Sequence, residues 1–344
     1  MGGVRRREDP RPPPGSAGRR RWVGVDVARP GAVRHHEVLI LRRGRRRPAK
    51  TLGALVKTRE ATGTSEDAHL WAVGQALRRI KADLGGTHSL DELARVACLS
   101  PFHFHRVFRQ ITSATPARFL AALRIAEAKR LLLGTKANVT TICMDVGYSS
   151  HGTFTTQFTR LVGTSPRHFR RLARDLATLP LEEVLTGSVP AGPRRGPPLR
   201  IRLSGLPAGH LALVGLFESG IPQGWPAACT LVRGTAEADL RIAVDGSYMA
   251  LVMSLPADAA VEAALTEVRP DQCRVGSWGP IRVQRGRPAE TDVEIVLRPR
   301  RVSDPPILSV SPLLAASRRP NGTIPKMREP EPRPAGTDRW GGAR

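Results

Sequence analysis

The stretch Gly147–Arg171, GYSSHGTFTTQFTRLVGTSPRHFRR, decides how this chain is read, because a version of it has already passed. Fifty residues earlier, Ala97–Leu120 reads ACLSPFHFHRVFRQITSATPARFL. Phe104 returns as Phe154, Phe108 as Phe158, Pro116 as Pro166 and Phe119 as Phe169. Repetition at a fixed offset, happening once, marks a duplicated unit rather than a solenoid.

Both copies are helical. Ser100-Pro101 supplies an N-cap followed by Pro at the first helical position. The helix it opens carries Phe104, Val107, Phe108 and Ile111 on one stripe. In the second copy, 151–162 places Phe154, Phe158 and Leu161 on the inner face. Thr115-Pro116 and Ser165-Pro166 open the next helix of each copy, the first of them running to Gly134. Ahead of each copy lies a short helix. One opens at Ser89 with Glu92 as a capping box and carries Leu90, Leu93, Ala94 and Ala97. The other runs from Val139 to Val146 and closes at Gly147. A leading helix with Leu70, Val73, Leu77, Ile80 and Leu84 on one stripe stops at Gly85-Gly86. The repeated plan is therefore short helix, tight turn, second helix, Pro-capped third. The first two with their turn form a helix-turn-helix, whose second helix enters the major groove of DNA.

Working outward, residues 1–65 read as an irregular basic arm rich in Pro, Gly and Arg. Residues 68–175 form the helical domain, and 176–198 are a Pro/Gly linker. From 199 to 314 the period changes. LRIRLS, HLALVGLF, ADLRIAV, SYMALVMSL, IRVQRG and VEIVLRP alternate and are separated by Gly, Pro or Asp, which predicts a β-sandwich. Residues 315–344 are expected to be a disordered tail. The expected fold is thus multidomain: an all-α double helix-turn-helix domain, then a mainly β, sandwich-like domain, with disordered tails.

Composition narrows the function. The 344 residues include 54 Lys and Arg against 30 Asp and Glu, a formal net charge of +24. Residues 68–175 hold 16 basic and 6 acidic side chains, whereas 176–344 hold 21 and 17. A basic excess centred on the repeat points to a polyanion, chiefly nucleic acid. The four cysteines, Cys98, Cys143, Cys229 and Cys273, form no C-x-x-C pair. Neither a zinc site nor a disulfide framework is written there, and a reduced, cytoplasmic setting is the expectation. Nor does an apolar run reach the ~20 residues that span a membrane. Arg19-Arg20-Arg21 precedes an apolar stretch broken by Asp26 and Arg29, too short for an export signal.

SLDELARVACLSPFHFHRVFRQ, TPARFLAALRIAEAKRLLL, VTTICMDVGYSSHGTFTTQF and GTSPRHFRR together resemble the DNA-binding domain of AraC/XylS-type transcriptional regulators. The resemblance covers residues 68–175 and spans seven helices in order. It implies a DNA-binding transcription regulator with duplex DNA and RNA polymerase as partners, a small-molecule effector, and no membrane. That family usually carries its effector-binding domain on the N-terminal side. Here the additional folded mass is C-terminal, and GSYMALVMSLP and DVEIVLRP in it are similar to transthyretin-like regulatory β-sandwiches.

Helical phase nominates the readers. With Phe104 inward, Phe102, Arg106 and Arg109 point outward at i, i+4 and i+7, flanked by His103 and His105. Arg106 can pair in bidentate fashion with guanine O6 and N7, and Phe102 can cover a thymine methyl. In the second copy Gly152, Thr156 and Thr159 face outward, with His151, Thr153 and Thr155 near the helix start. The resemblance would place Arg where Thr156 stands. This unit is expected to grip phosphate instead, helped by Arg160, Arg167, Arg170 and Arg171. The joining helix, Pro116 to Gly134, spans ~28 Å at 1.5 Å per residue, against ~34 Å between successive major grooves on one face. No cofactor is expected. A repair enzyme of the alkyl-transfer type is the alternative. It requires an activated Cys, and neither PAACTLV nor DQCRVGS supplies a Pro-Cys-His-Arg context, while a G-x-S-x-G elbow is absent. The other alternative is a ligand sensor in the C-terminal domain, with Trp225 and Trp278 assigned to its core.

Overall fold

The computed structural model describes residues 50–185, 197–266 and 271–316. The arm before residue 50, the middle of the linker and the tail after 316 lie outside the described residues. Apart from the first turn of its first helix, everything below belongs to the second of two compact units, Leu55–Arg344.

Seven helices build the first half: α1 (Lys50–Ala82), α2 (Leu90–Val96), α3 (Pro101–Thr112), α4 (Pro116–Gly134), α5 (Val139–Asp145), α6 (His151–Val162) and α7 (Pro166–Leu176). Six begin at a Ser, Thr or Asn whose side-chain oxygen accepts from the backbone N–H three residues on: Ser89, Ser100, Thr115, Asn138, Ser150 and Ser165. Each such cap stabilises its helix by ~1 kcal/mol. The capping box at Ser89 is made on one side only, since Glu92 Oε1 turns to Arg79 at 2.9 Å. The leading helix differs most from expectation. It starts at Lys50, inside the segment read as an irregular arm. After Pro48 that segment holds no proline, and its isolated glycines weaken a helix without ending it.

The two copies pack alike. Phe104, Phe108 and Phe119 follow one another at centroid spacings of 5.5 and 5.6 Å, and Phe154, Phe158 and Phe169 at 5.7 and 5.8 Å. All six are fully buried. Each tilted or edge-on pair adds ~0.5–1.5 kcal/mol beyond the area it buries. The turns differ by one residue. Cys98 and Gly147 hold equivalent left-handed positions, at φ 54° and 89°. The N–H that follows each bonds back five residues, Leu99 to Ala94 and Tyr148 to Cys143.

After α7 the segment expected as linker is structured as far as Leu185. It carries α8 (Leu181–Val184), with Leu181 and Leu185 buried. Two sheets follow. The smaller joins β1 (Pro198–Ser204) to β4 (Glu237–Arg241), antiparallel, and to β8 (Asp292–Val296), parallel. The larger runs in the order β3 (Ala228–Arg233), β2 (His210–Phe217), β5 (Gly246–Pro256), β6 (Arg274–Gln284), β7 (Arg287–Pro288), and β9 (Arg298–Pro299) also pairs with β6. Residues such as Ile201, Val214, Leu240, Ala250, Ile281 and Ile295 fill the core between the sheets. Expectation missed β3, whose Cys229–Leu231 stretch is half-buried throughout and shows no alternation.

The opposite face of the larger sheet is not solvent-facing. Leu211 and Leu255 join the same core as the helical domain, and Leu213, Leu231, Met253 and Val275 pack against it. The short helix α9 (Val261–Thr266) lies on α4 and α7. Backbone bonds from Leu181 N–H to Ala259 O, Glu262 N–H to Ala177 O and Val261 N–H to Leu179 O stitch the junction. The last described helix is α10 (Ser311–Ala316).

Candidate nucleic-acid interface

The reading helices are held in place before they are free to read anything. Gly147, at φ 89°, sits against Gly85; a Cβ there would lie 2.8 Å from the Gly85 Cα and 3.0 Å from Leu84 O. Beside it the Arg124 guanidinium on α4 donates from Nε to Leu84 O at 2.8 Å and from Nη2 to Gly86 O at 3.0 Å. It also lies 5.9 Å from the Tyr148 ring centroid. One arginine thus holds the turn that follows α1 and touches the turn of the second copy. Hydrogen bonds from a charged donor are among the stronger ones.

Arg170 repeats the device. Its Nε donates to Leu132 O at 3.0 Å and its Nη2 to Ala137 O at 2.6 Å, tying α7 to the end of α4. The sequence reading placed Arg170 on phosphate. Its guanidinium is half-buried and donates to two backbone carbonyls.

The α3 candidates fall into two sets. Phe102 is 84% exposed, an extreme value for a phenylalanine, and Arg106 and Arg109 are exposed with it. Neither arginine forms an ion pair among the described residues. His103 and His105 are half-buried, and the His103 ring meets His69 of α1 edge-on at 5.4 Å. On α6, His151, Gly152, Thr153, Thr156 and Arg160 are exposed. A Cβ at Gly152 would meet only the Ser150 Oγ, at 3.8 Å, so the helix surface there is flat by composition and not by crowding. Thr155 departs from the reading. It is half-buried, with its Oγ1 shielded and unpartnered among the described residues, while its carbonyl accepts from the Thr159 hydroxyl at 2.8 Å. Arg167 and Arg171 on α7 are exposed.

Two features escaped the sequence reading. Lys129 on α4 is 1% exposed and donates from Nζ to Ile307 O at 2.8 Å and Leu308 O at 3.3 Å. The β2–β3 loop reaches the C-terminal ends of both reading helices. Gly220 lies against Ser113, the C-cap of α3, so closely that a Cβ would fall 2.3 Å from the Ser113 Cβ. Gly224 N–H donates to Leu161 O at 2.6 Å, and Trp225 lies beside Gly163, the C-cap of α6. Trp225 is half-exposed there, not a core residue as expected. The only sequence signal was the loop itself, ESGIPQGWP, whose Ile221 has no place in a polar turn and is buried.

Among the described residues there is no cluster of three or more His, Cys, Asp or Glu fit to hold a metal, and no helix long and apolar enough to cross a membrane. Burial pushes the Cys229 thiol up to about 11, and Cys143 and Cys273 are buried.

Comparison with known proteins agrees with this geometry. Residues 93–172 match the helix-turn-helix domain family. The HTH-type transcriptional regulator Rv1931c of Mycobacterium tuberculosis is 37% identical over 25% of this chain and 34% of its own length. The HTH-type transcriptional activator RhaS of Escherichia coli is 38% identical over 24% and 29%. The bifunctional transcriptional activator/DNA repair enzyme AdaA of Bacillus subtilis is 29% identical over 29% and 44%. The chain thus spans less than half the length of these relatives. Residues 93–172 are thus a helix-turn-helix domain, the part of the chain that resembles AraC/XylS-type regulators, and a mainly β region follows it.

Proposed function

We propose that the chain is a sequence-specific DNA-binding transcriptional regulator that reads two adjacent major grooves with two helix-turn-helix units, α2–α3 and α5–α6. The observation that carries this is the outer face of α3. An almost fully exposed Phe102 stands beside Arg106 and Arg109, which have no ion-pair partner among the described residues, opposite a fully buried aromatic stripe. In a groove such a phenylalanine can cover a thymine methyl while the arginines beside it reach base edges and phosphate. The α6 face offers short donors and a flat backbone approach, and the exposed Arg160, Arg167 and Arg171 would reach phosphate. The 19-residue α4 is the strut between the heads. A single chain then covers an asymmetric site of about two helical turns, in the cytoplasm, with RNA polymerase as the downstream partner.

The test is a binding-site selection with the full chain, followed by footprinting of the selected duplex at two salt concentrations. A protected stretch of about two turns, with affinity falling steeply as salt rises, is expected. Protection confined to about one turn overturns the two-groove reading. Affinity indifferent to salt overturns DNA binding as the function.

A further inference from the structure

The face that the larger sheet turns toward the helical domain is not evenly filled. Across β3, β2, β5 and β6 one row reads Leu231, Leu213, Met253, Val275, all large enough to reach the helices. The next row on the same face reads Cys229, Gly215, Leu251, Ser277. It contains one large side chain in four. Beyond it stands the pair Phe217 and Met249. The Phe217 ring folds back over Gly215, 2.7 Å from where a Cβ would stand, and the low ground left beside it is a hollow. That hollow is a cavity of about 160 Å³. On the helical side it is closed by Ile111, Thr112 and Ser113, the C-terminal end of α3, and by the segment from Ile307 to Ser311.

The burial of the two sheet faces shows the hollow is underfilled. In the middle of β2 and β5 the side chains that point between the sheets are at most 4% exposed, as with Val214, Ala250 and Val252. Their neighbours Leu213, Met249, Leu251 and Met253, of the same apolar kind, are only half-buried although a second domain covers them. The charged groups at the cavity, and several of its hydroxyls, are engaged. Arg298 and Asp304 hold each other through two bonds of 2.8 and 2.6 Å, and the Ser309 and Ser311 hydroxyls lie 2.9 Å apart. The Thr112 hydroxyl donates to Phe108 O at 2.7 Å. A charged guest would find no unpaired counter-charge among these groups, whereas an apolar one would find unsatisfied contact surface. A dry apolar cavity of about 150 Å³ suffices to bind benzene.

We propose that this cavity is a binding site for a small, uncharged, mainly apolar molecule about the size of one or two fused rings, and that its occupancy alters DNA binding. The coupling path is short. The guest would touch Ile111–Ser113, the last residues of the first reading helix. The same wall continues to Val310, whose N–H donates to Val162 O at the end of the second. Gly220, packed on Ser113 without room for a methyl, carries any shift of the sheet to α3. A ligand preferring one setting of these contacts changes DNA affinity by its differential affinity for the two settings, and DNA changes ligand affinity by the same factor. This second half rests on the DNA-binding reading. The first half does not.

Indole and benzene serve as probes and benzoate as the charged control, titrated calorimetrically into the full chain without DNA. Binding of the first two, absent for benzoate, is expected. Leu251→Phe and Met249→Phe, which fill the hollow, should each weaken indole by about tenfold or more, which is ~1.4 kcal/mol, with the thermal midpoint kept or raised. Crystals pressurised with xenon should show density between Leu251 and Ile111. No probe binding together with no xenon density overturns the site, as does undiminished indole binding in both variants. If either variant fails to fold, the xenon density decides. Indole that binds but leaves the affinity for selected DNA unchanged overturns the coupling alone. A chain that binds indole but no DNA overturns the regulatory reading and leaves the site standing.

Discussion

At the residue scale, arginine does two jobs that sequence alone does not separate. Arg106, Arg109, Arg160, Arg167 and Arg171 end in solvent, while Arg124 and Arg170 end on backbone carbonyls at and beyond the helix ends. All seven look alike in a basic, amphipathic pattern, because helical phase says which side faces out but not how far a long side chain folds back. Arg170→Ala should therefore cost ~1.5–3 kcal/mol of stability, the range for hydrogen bonds to charged groups, seen as a lower thermal midpoint with an unchanged salt slope. Arg171→Ala should leave the midpoint alone and lower the magnitude of the salt slope by about one. The reverse pattern would put Arg170 on DNA after all. For base readout, Arg106→Ala should cost ~1–3 kcal/mol and relax preference at one base pair. Thr156→Ala should cost less, spread over sequences, and Thr156→Arg should raise affinity. Site selection on the three variants checks this; equal losses in the first two would mean α3 is not the dominant head.

At the element scale, the duplicated helices were legible because caps and aromatic spacings are local. Ser or Thr before Pro, and Phe at i and i+4, require nothing beyond the helix they sit on. The turns were less so. Cys98 occupies the left-handed position that Gly147 fills in the second copy, and no rule of composition flags a cysteine there. A left-handed non-glycine costs ~1–2 kcal/mol, offset by the ~0.5–1 kcal/mol that glycine loses in backbone entropy. Cys98→Gly should accordingly raise stability by ~0.5 kcal/mol. Gly147→Ala should lower it by ~2 kcal/mol or more, since strain and the 2.8 Å approach to Gly85 act together. Chemical denaturation of both variants measures the difference, and a neutral Gly147→Ala would show that the second copy does not rest on α1. In the joining helix, Ala126→Pro should cost ~3 kcal/mol or more and abolish specific binding while weak nonspecific binding remains. Survival of specific affinity would disconnect the two heads from the strut.

At the scale of the whole molecule, the sequence reading separated what the structure joins. A change of period and a Pro/Gly stretch suggested two bodies on a tether. Nothing in the alternation of β2 or β5 says that the second face of a sheet is covered by another domain rather than by solvent, because both strands are apolar on nearly every residue. Besides that apolar face, the docking contacts include single, scattered groups that carry no sequence signal: a buried lysine, two glycines, a half-exposed tryptophan. Gly220→Ala tests the joint directly. Its methyl would fall where the Ser113 Cβ already is, so hydrogen exchange should rise at the ends of α3 and α6 and across Ile307–Val310 together. Protection unchanged at α6 would mean the loop does not couple the two helices.

Lys129 has a consequence for how the protein is made. Its carbonyl partners Ile307 and Leu308 lie 178 and 179 residues further along the chain. At a synthesis rate of 5–20 residues per second, they leave the ribosome about 10–40 s after the lysine does. Until then the Lys129 ammonium has the Phe169 ring beside it but not these two acceptors. The reading domain is translated first and completed last, and a chain that stalled before Ile307 would carry both reading heads without the segment that seals them.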